Sequence, residues 1–227
     1  MTGFFRFPST PHLAWLGEVD LREDKLLTES EIHHLFNGPV RIEEKVDGAN
    51  IGLSVSEDGE IRVQNRGSYL DSESSHKQFS RLWPWLTPRT DTLLDALGAE
   101  LILFGEWCQA VHSVRYDKLP DWFLGFDFYD RSRGRFWSAE RRDQQLAELG
   151  LSTVPTLARG PIQQAQVQSF LGTSRLGSTP MEGVIIRNDD EQWNQVRAKL
   201  VRPDFVQQIH THWSHHTLQT NQLALGV

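Results

Sequence analysis

Cysteine is almost missing from this chain of 227 residues, which has one, Cys108. A single thiol excludes an internal disulfide framework and a cysteine-ligated zinc cluster, so packing has to hold the fold. Long apolar runs are missing too. The longest, such as 123–128, are strand-sized and far short of the roughly 20 residues that span a bilayer. The opening MTGFFRFPSTPH has no basic region followed by an apolar stretch, so no secretory signal is read there. These absences give the expectation of a cytoplasmic protein with no membrane partner. Positive charge is scarce: 23 lysines and arginines face 30 acidic residues, a net charge of −7. That excludes a protein that coats nucleic acid non-specifically, though not a local basic groove. Arg131, Arg133 and Arg135 with Arg141 and Arg142 read as charged surface; Arg197, Lys199 and Arg202 sit in a more ordered context.

Aromatic residues, in contrast, are plentiful. Eight tryptophans, twelve phenylalanines and 38% hydrophobic residues indicate a globular core, in one large domain or one domain with a small appendage. Segments Val40–Lys45, 50–56 and 60–66 alternate apolar and polar residues, with an Asp58-Gly59 turn between the last two. They read as an antiparallel meander with Lys45 at the end of its first strand. A helical pattern from 75 to 98 is broken by Pro84 and Pro88. Strands are expected at 101–107 and 122–129, then a helix capped by Ser138 that stops at Gly150. A short helix follows Pro161, the stretch GTSRLGSTPM is a loop, and strands cover 183–187 and 193–201. Pro203 opens a last helix to 216, with Phe205, Ile209 and Trp213 on one face. Strands in runs with helices between them indicate an α+β fold of antiparallel sheets with flanking helices.

The stretch RIEEKVDGANIGLSV holds the most chemistry. A lysine is a covalent nucleophile when its amine is neutral. Gly48 allows a tight turn and close approach of a bulky charged ligand. Asp47 and Asn50 suit fixing that turn or a sugar hydroxyl. EKVDGAN resembles motif I of the covalent lysyl-nucleotidyltransferases, the superfamily of polynucleotide ligases and mRNA capping enzymes. Five further blocks resemble its motifs in order: QNRGSYL, LFGEW, FLGFDFYD, MEGVIIR and VRAKLV, between residues 43 and 201 in all. The form Glu-Lys-x-Asp-Gly-x-Asn with Asn-Arg-Gly downstream is most similar to the RNA ligase 2-like family of ATP-dependent RNA ligases.

That resemblance implies a nucleotidyltransferase domain of the ATP-grasp-like ligase adenylation type over 1–202, with 203–227 a helix and tail packed on it and no further C-terminal domain. It implies ATP and Mg²⁺, or Mn²⁺, as cofactors. Lys45 would attack the α-phosphorus of ATP, pass AMP to a 5′-phosphate RNA end and permit sealing to a 3′-hydroxyl. The resemblance assigns Glu106 to the ribose, Phe126 to stacking on adenine, and Glu44, Asp47 and Asn50 to the nucleoside or its turn. Arg66 would grip phosphate. Lys199, with Arg197, would stabilise the α-phosphate and help keep Lys45 neutral, and Glu182 would act near the reacting centre, directly or through water with the metal. The family carries two lysines where Arg197 and Lys199 stand; arginine keeps the charge and changes the geometry. RNA ends, in a nicked duplex or single strand, are the expected partners, and a repair partner or separate strand-binding subunit could supply what a minimal domain lacks.

Other readings remain open on the sequence: a minimal ATP-dependent DNA ligase, a capping-type guanylyltransferase taking GTP, and a non-catalytic nucleotide-binding module. His210, His212, His215 and His216 invite a metal site, but only His212 and His216 have helical i, i+4 spacing. Cys108 and His112 read as cleft wall or core.

Overall fold

The computed structural model describes residues 3–17, 26–73, 76–208 and 218–224. In chain order its elements are α1 (Glu29–Leu35), β1 (Val40–Lys45), β2 (Ala49–Val55), β3 (Ile61–Gln64), α2 (Leu82–Leu86), α3 (Thr90–Leu97), β4 (Leu101–Trp107), β5 (Phe123–Asp130), β6 (Arg135–Phe136), α4 (Ala139–Glu148), β7 (Thr156–Gly160), β8 (Gly183–Asp189), β9 (Asn194–Val201) and α5 (Pro203–Gln208). Three 3₁₀ turns, at Lys77–Phe79, Thr87–Arg89 and Gln164–Phe170, complete the set. No helix among the described residues is long and apolar enough to cross a membrane.

The strands form two antiparallel sheets, ordered β7-β1-β8-β9 and β3-β2-β4-β5-β6. β2 and β3 pair as a hairpin, but β1 belongs to the other sheet, so 40–66 is no single meander. The chain crosses between sheets at Val46–Gly48, a polar break of the kind that also marks a hairpin, and alternation alone does not distinguish the two. β1 pairs with β8 on one side and with β7 on the other. No alternation marks β7, whose five residues are all partly or fully exposed. α1 was also unanticipated, although Thr28 and Glu31 form a reciprocal capping box at its start.

Each sheet has an apolar back. Ile42, Val184, Ile186, Ala198 and Leu200 pack with Leu35 of α1 and Val167. Ile51, Leu53, Leu103, Phe123 and Phe128 pack with Leu82, Trp85, Leu93 and Leu146 of α2, α3 and α4. Pro84 lies within the first turn of α2, where no intrahelical N–H bond is lost, so the helix tolerates it. Ser138 caps α4 by accepting the Arg141 N–H, and Gly150 follows with φ 63°, as expected of a helix stop. The two remaining faces look at each other across a cleft. Ile209, Trp213 and the four histidines 210–216 lie outside the described residues.

Candidate active site

Period-two alternation puts Arg41, Glu43 and Lys45 of β1 on one face, beside Ile185 and Arg187 of β8 and Arg197 and Lys199 of β9. This face carries charge where the back carries aliphatics. From the facing sheet come Asn50 of β2 and Glu106 of β4, paired in register, and Phe126 of β5. Between them lies a cleft walled by Phe7, Phe126, Val154 and Ile185 and by the charged side chains. A wider groove on the other side is lined by Asn65, Arg66, Gln78, His112, Ser113 and Glu182. Lys45, Asn50, Arg66 and Glu106 line both, so Lys45 stands where the cleft meets the groove.

Lys45 Nζ donates to Glu182 Oε2 at 2.6 Å, with 26% of the lysine side chain and 9% of the glutamate side chain exposed. Burial pulls the Lys45 amine down, but Glu182, Glu106 and Asp47 outweigh it and hold the amine above its ordinary value. Without nucleotide the site therefore holds a cation at Lys45. Burial pushes the Glu182 carboxyl up to about 7; Lys45 opposes this and Asp47 adds to it. Burial likewise brings Glu106 to about 7, opposed by Lys45 and reinforced by Glu182. These two carboxyls titrate around one amine as a coupled set.

The turn after Lys45 is tied on every side. Glu106 Oε1 accepts the Gly48 N–H at 3.0 Å, and Asp47 Oδ2 accepts the N–H groups of Ser113 and Val114 at 2.7 and 2.8 Å. The Asp47 N–H donates to Tyr116 Oη at 2.7 Å. Gly48 is required for a protein contact: a Cβ there would lie 2.6 Å from the Trp107 carbonyl oxygen, so the close approach is to β4. Glu44 turns away from Lys45, its oxygens accepting from Ser174 Oγ and the Arg175 N–H, which anchors the loop before Glu182. Burial raises the Glu44 carboxyl despite these bonds.

Asn50 Oδ1 is buried with no hydrogen-bond partner among the described residues, a polar atom for which a ligand hydroxyl is suited. Phe126 is half-buried against Phe7, at 5.2 Å between ring centroids, whereas Phe123 and Phe128 are wholly core. Arg66 is exposed at the groove and makes no ion pair or hydrogen bond to another described residue. Lys199 shares the face of Lys45, one strand removed, and its charge lowers the Glu182 carboxyl. Arg197 is committed inside: it bonds Asp127 and lies over the rings of Phe136 and Phe7, at 4.2 and 4.8 Å. His112 bonds Gln78 Oε1 at 2.9 Å in the groove wall, and Cys108 is buried core.

Sequence reading missed the ionic layer beneath the cleft. Arg142, read as surface, is fully buried. Its Nη2 donates to Glu43 Oε1 at 2.6 Å and its Nη1 to the Phe126 carbonyl at 2.7 Å. Arg187 Nη1 donates to Asp127 Oδ1 at 2.7 Å, and Arg41 reaches Glu43 at 2.9 Å. Neighbouring charges in sequence suggested a solvated run; the inward alternation Arg41, Glu43, Lys45 was the signal available. Among the described residues no three side chains of metal-ligating type cluster.

Two antiparallel sheets thus face each other across a lysine and two carboxyls, and comparisons with known proteins give the chain a family. Residues 38–201 match the profile of the RNA ligase family. The chain belongs to that family. No curated protein sequence matches it. Its fold is similar to that of Naegleria gruberi RNA ligase with pyrophosphate, at TM-score 0.63 and 18% identity over 90% of this chain and 64% of that one. A variant of the same ligase with AMP and manganese gives 0.59 and 17%, over 90% and 64%. Another variant, with ATP and manganese, gives 0.60 and 16%, over 79% of this chain and 54% of that chain. The chain thus spans between about half and two-thirds of the length of these ligases.

Proposed function

We propose that this chain is an ATP-dependent RNA ligase that adenylylates itself on Lys45. The observation that carries the reading is the Lys45–Glu182 pair at 2.6 Å, set where an aromatic-walled cleft joins a wider groove. A nucleoside would enter on the cleft side, with its base against Phe126 and its ribose hydroxyls near Glu106 and Asn50 Oδ1. The α-phosphorus then meets Lys45, and the groove side is left for the second substrate. Lys45 gives a proton to Glu182, which is the nearest acceptor and is tuned to about 7. The freed Nζ forms a bond to the α-phosphorus as the bond to the bridging oxygen breaks and pyrophosphate leaves. AMP next passes from Lys45 to a 5′-phosphate oxygen of RNA, and a 3′-hydroxyl displaces it to form the phosphodiester. Arg66, exposed at the groove, suits a phosphate there, and Lys199 adds charge toward the transferring phosphoryl.

A divalent ion would be held between nucleotide and protein: with no three-residue cage among the described residues, oxygens of the phosphates would supply most of its shell, and Glu182 would reach it through water. When bound it neutralises charge on the phosphates and leaving group.

The test is incubation with ATP, and separately GTP, with Mg²⁺ or Mn²⁺, followed by denaturing mass spectrometry. Gain of one AMP, lost in Lys45→Ala, is expected; an adduct that persists in Lys45→Ala, or forms with GMP instead, overturns the reading. Nicks that differ only in the sugar of the 3′-hydroxyl strand follow. Sealing is expected when that sugar is ribose, whose 2′-hydroxyl distinguishes RNA at an end. Equal rates on deoxyribose would make the chain a DNA ligase instead.

A further inference from the structure

The segment 218–224 looks like a tail in sequence, yet it runs back along the loop 108–119. Its backbone is pinned to the loop 108–119 by several bonds: the Val111 N–H donates to Gln219 O at 2.9 Å, Gln222 N–H to Tyr116 O at 3.0 Å and Ala224 N–H to Leu119 O at 2.8 Å. Within it Asn221 is buried, 2% exposed, and spends its whole side-chain amide on the same loop. Its Oδ1 accepts the Tyr116 N–H at 2.8 Å; its Nδ2 donates to the carbonyls of Cys108 at 2.8 Å and Ala110 at 3.1 Å.

That loop holds the turn after Lys45. Ser113 and Val114 give their N–H groups to Asp47, and Tyr116 Oη accepts the Asp47 N–H. Tyr116 joins the two sets, with its amide on Asn221 and its hydroxyl on Asp47. Since the backbone ladder already ties the segment down, the Asn221 amide is not needed to keep it attached; it shapes the loop. The reading that Lys45 is the nucleophile underlies the next step. We infer that Asn221 is a positioning residue for Lys45, setting the loop 108–119 whose donors and Tyr116 hydroxyl fix Asp47 and the turn that aims the amine at phosphorus.

Two measurements on the full chain test this. The first is AMP-adduct formation across ATP concentrations for wild type, Asn221→Ala and Gln219→Ala. Gln219 is exposed and takes part through its backbone carbonyl, so its variant should match wild type. Asn221→Ala should lose roughly ten- to hundredfold in rate at saturating ATP, in line with the about 10²-fold cost of a misplacement near 1 Å. Its KM for ATP should change little, because Asn50 and Phe126 lie within the paired strands β2 and β5 and make no bond to that loop. The second is amide hydrogen exchange: Ser113 and Val114 should exchange faster in Asn221→Ala while the amides of β4 stay as in wild type. If Asn221→Ala does not fold, Asn221→Asp, which keeps the acceptor and loses both donors, carries the same comparison. A wild-type rate in the variant, or exchange rising equally through β4, overturns the inference. Absence of any adduct in wild type would sink the Lys45 reading instead, and the exchange result would still decide whether Asn221 sets the loop.

Discussion

Replacing Glu43 with glutamine removes one charge from the ionic layer while keeping the shape of the side chain. Burial alone would raise the Glu43 carboxyl; the charges of Arg142 and Arg187, the hydrogen bonds from Arg142 and the charge of Arg41 outweigh it and bring the group from 4.5 to about 2. At 1.36 kcal/mol per pH unit that difference is about 3 kcal/mol of folding stability. Breaking one partner of a buried pair costs about 3–5 kcal/mol, and the low end applies because Arg142 keeps Asp143 and the Phe126 carbonyl. For a domain of this size 3 kcal/mol corresponds to a fall in Tm of roughly 6–12 °C at pH 7. The sign with pH follows from a depressed carboxyl. Its contribution is full above the unfolded carboxylate value, about 4.3, and is lost as pH falls toward 2. Thermal unfolding of wild type and Glu43→Gln by circular dichroism, from pH 7 down to about 3, reads both features. The gap between the curves should narrow below about pH 5. A gap under 1 kcal/mol at pH 7, or one that does not change with pH, would refute the assignment of Glu43 as the charged centre of this layer.

Phe126→Ala should raise the KM for ATP roughly ten- to hundredfold, the equivalent of about 1–3 kcal/mol of base stacking, with little loss of Tm. Phe128→Ala, stacked on Trp137 at 4.8 Å in the core, should instead cost about 3–5 kcal/mol in denaturant unfolding. Gly48→Ala pushes a methyl to 2.6 Å from the Trp107 carbonyl and should destabilise by about 1–3 kcal/mol while slowing adduct formation; wild-type behaviour in both assays would remove the turn from the mechanism. Adduct formation should rise with pH through about 7, because Glu182 accepts a proton only as the carboxylate, and Glu182→Gln should flatten that profile. A rate that falls over this range would exclude Glu182 as the acceptor.

Much of this was legible in the sequence because it is written locally. The Leu101–Trp107 strand, the helix from Ser138 to Gly150 and the start of α5 at Pro203 follow from alternation, caps and proline geometry. The residues of the cleft were legible as an ordered set of blocks, and the fold brings Lys45, Asn50, Arg66, Glu106, Phe126 and Arg197 to one cleft, with Glu182 at its mouth. What escaped depends on partners far along the chain. Arg142 looks like any helix-surface arginine until Glu43, 99 residues away, meets it. Glu44 and Lys45 are neighbours in sequence, yet strand pleat sends them to opposite faces, toward Ser174 and Glu182. Asn221 sits in an unpatterned stretch whose importance lies wholly in the loop it closes.

The crossing at Val46–Gly48 leaves Lys45 rooted in one sheet and Asn50 in the other, with three residues between β1 and β2. The length of that link sets the spacing of two halves of the site that share no hydrogen-bonded strand. An added residue at Asp58-Gly59 would lengthen the tip of a hairpin, but one beside Gly48 would offset one sheet against the other and carry the amine away from Glu106. An insertion scan should therefore find tolerance at the hairpin and none at the crossing. Over evolutionary time, chain length should be free to drift at exposed hairpin tips such as Asp58-Gly59 and stay frozen at this step.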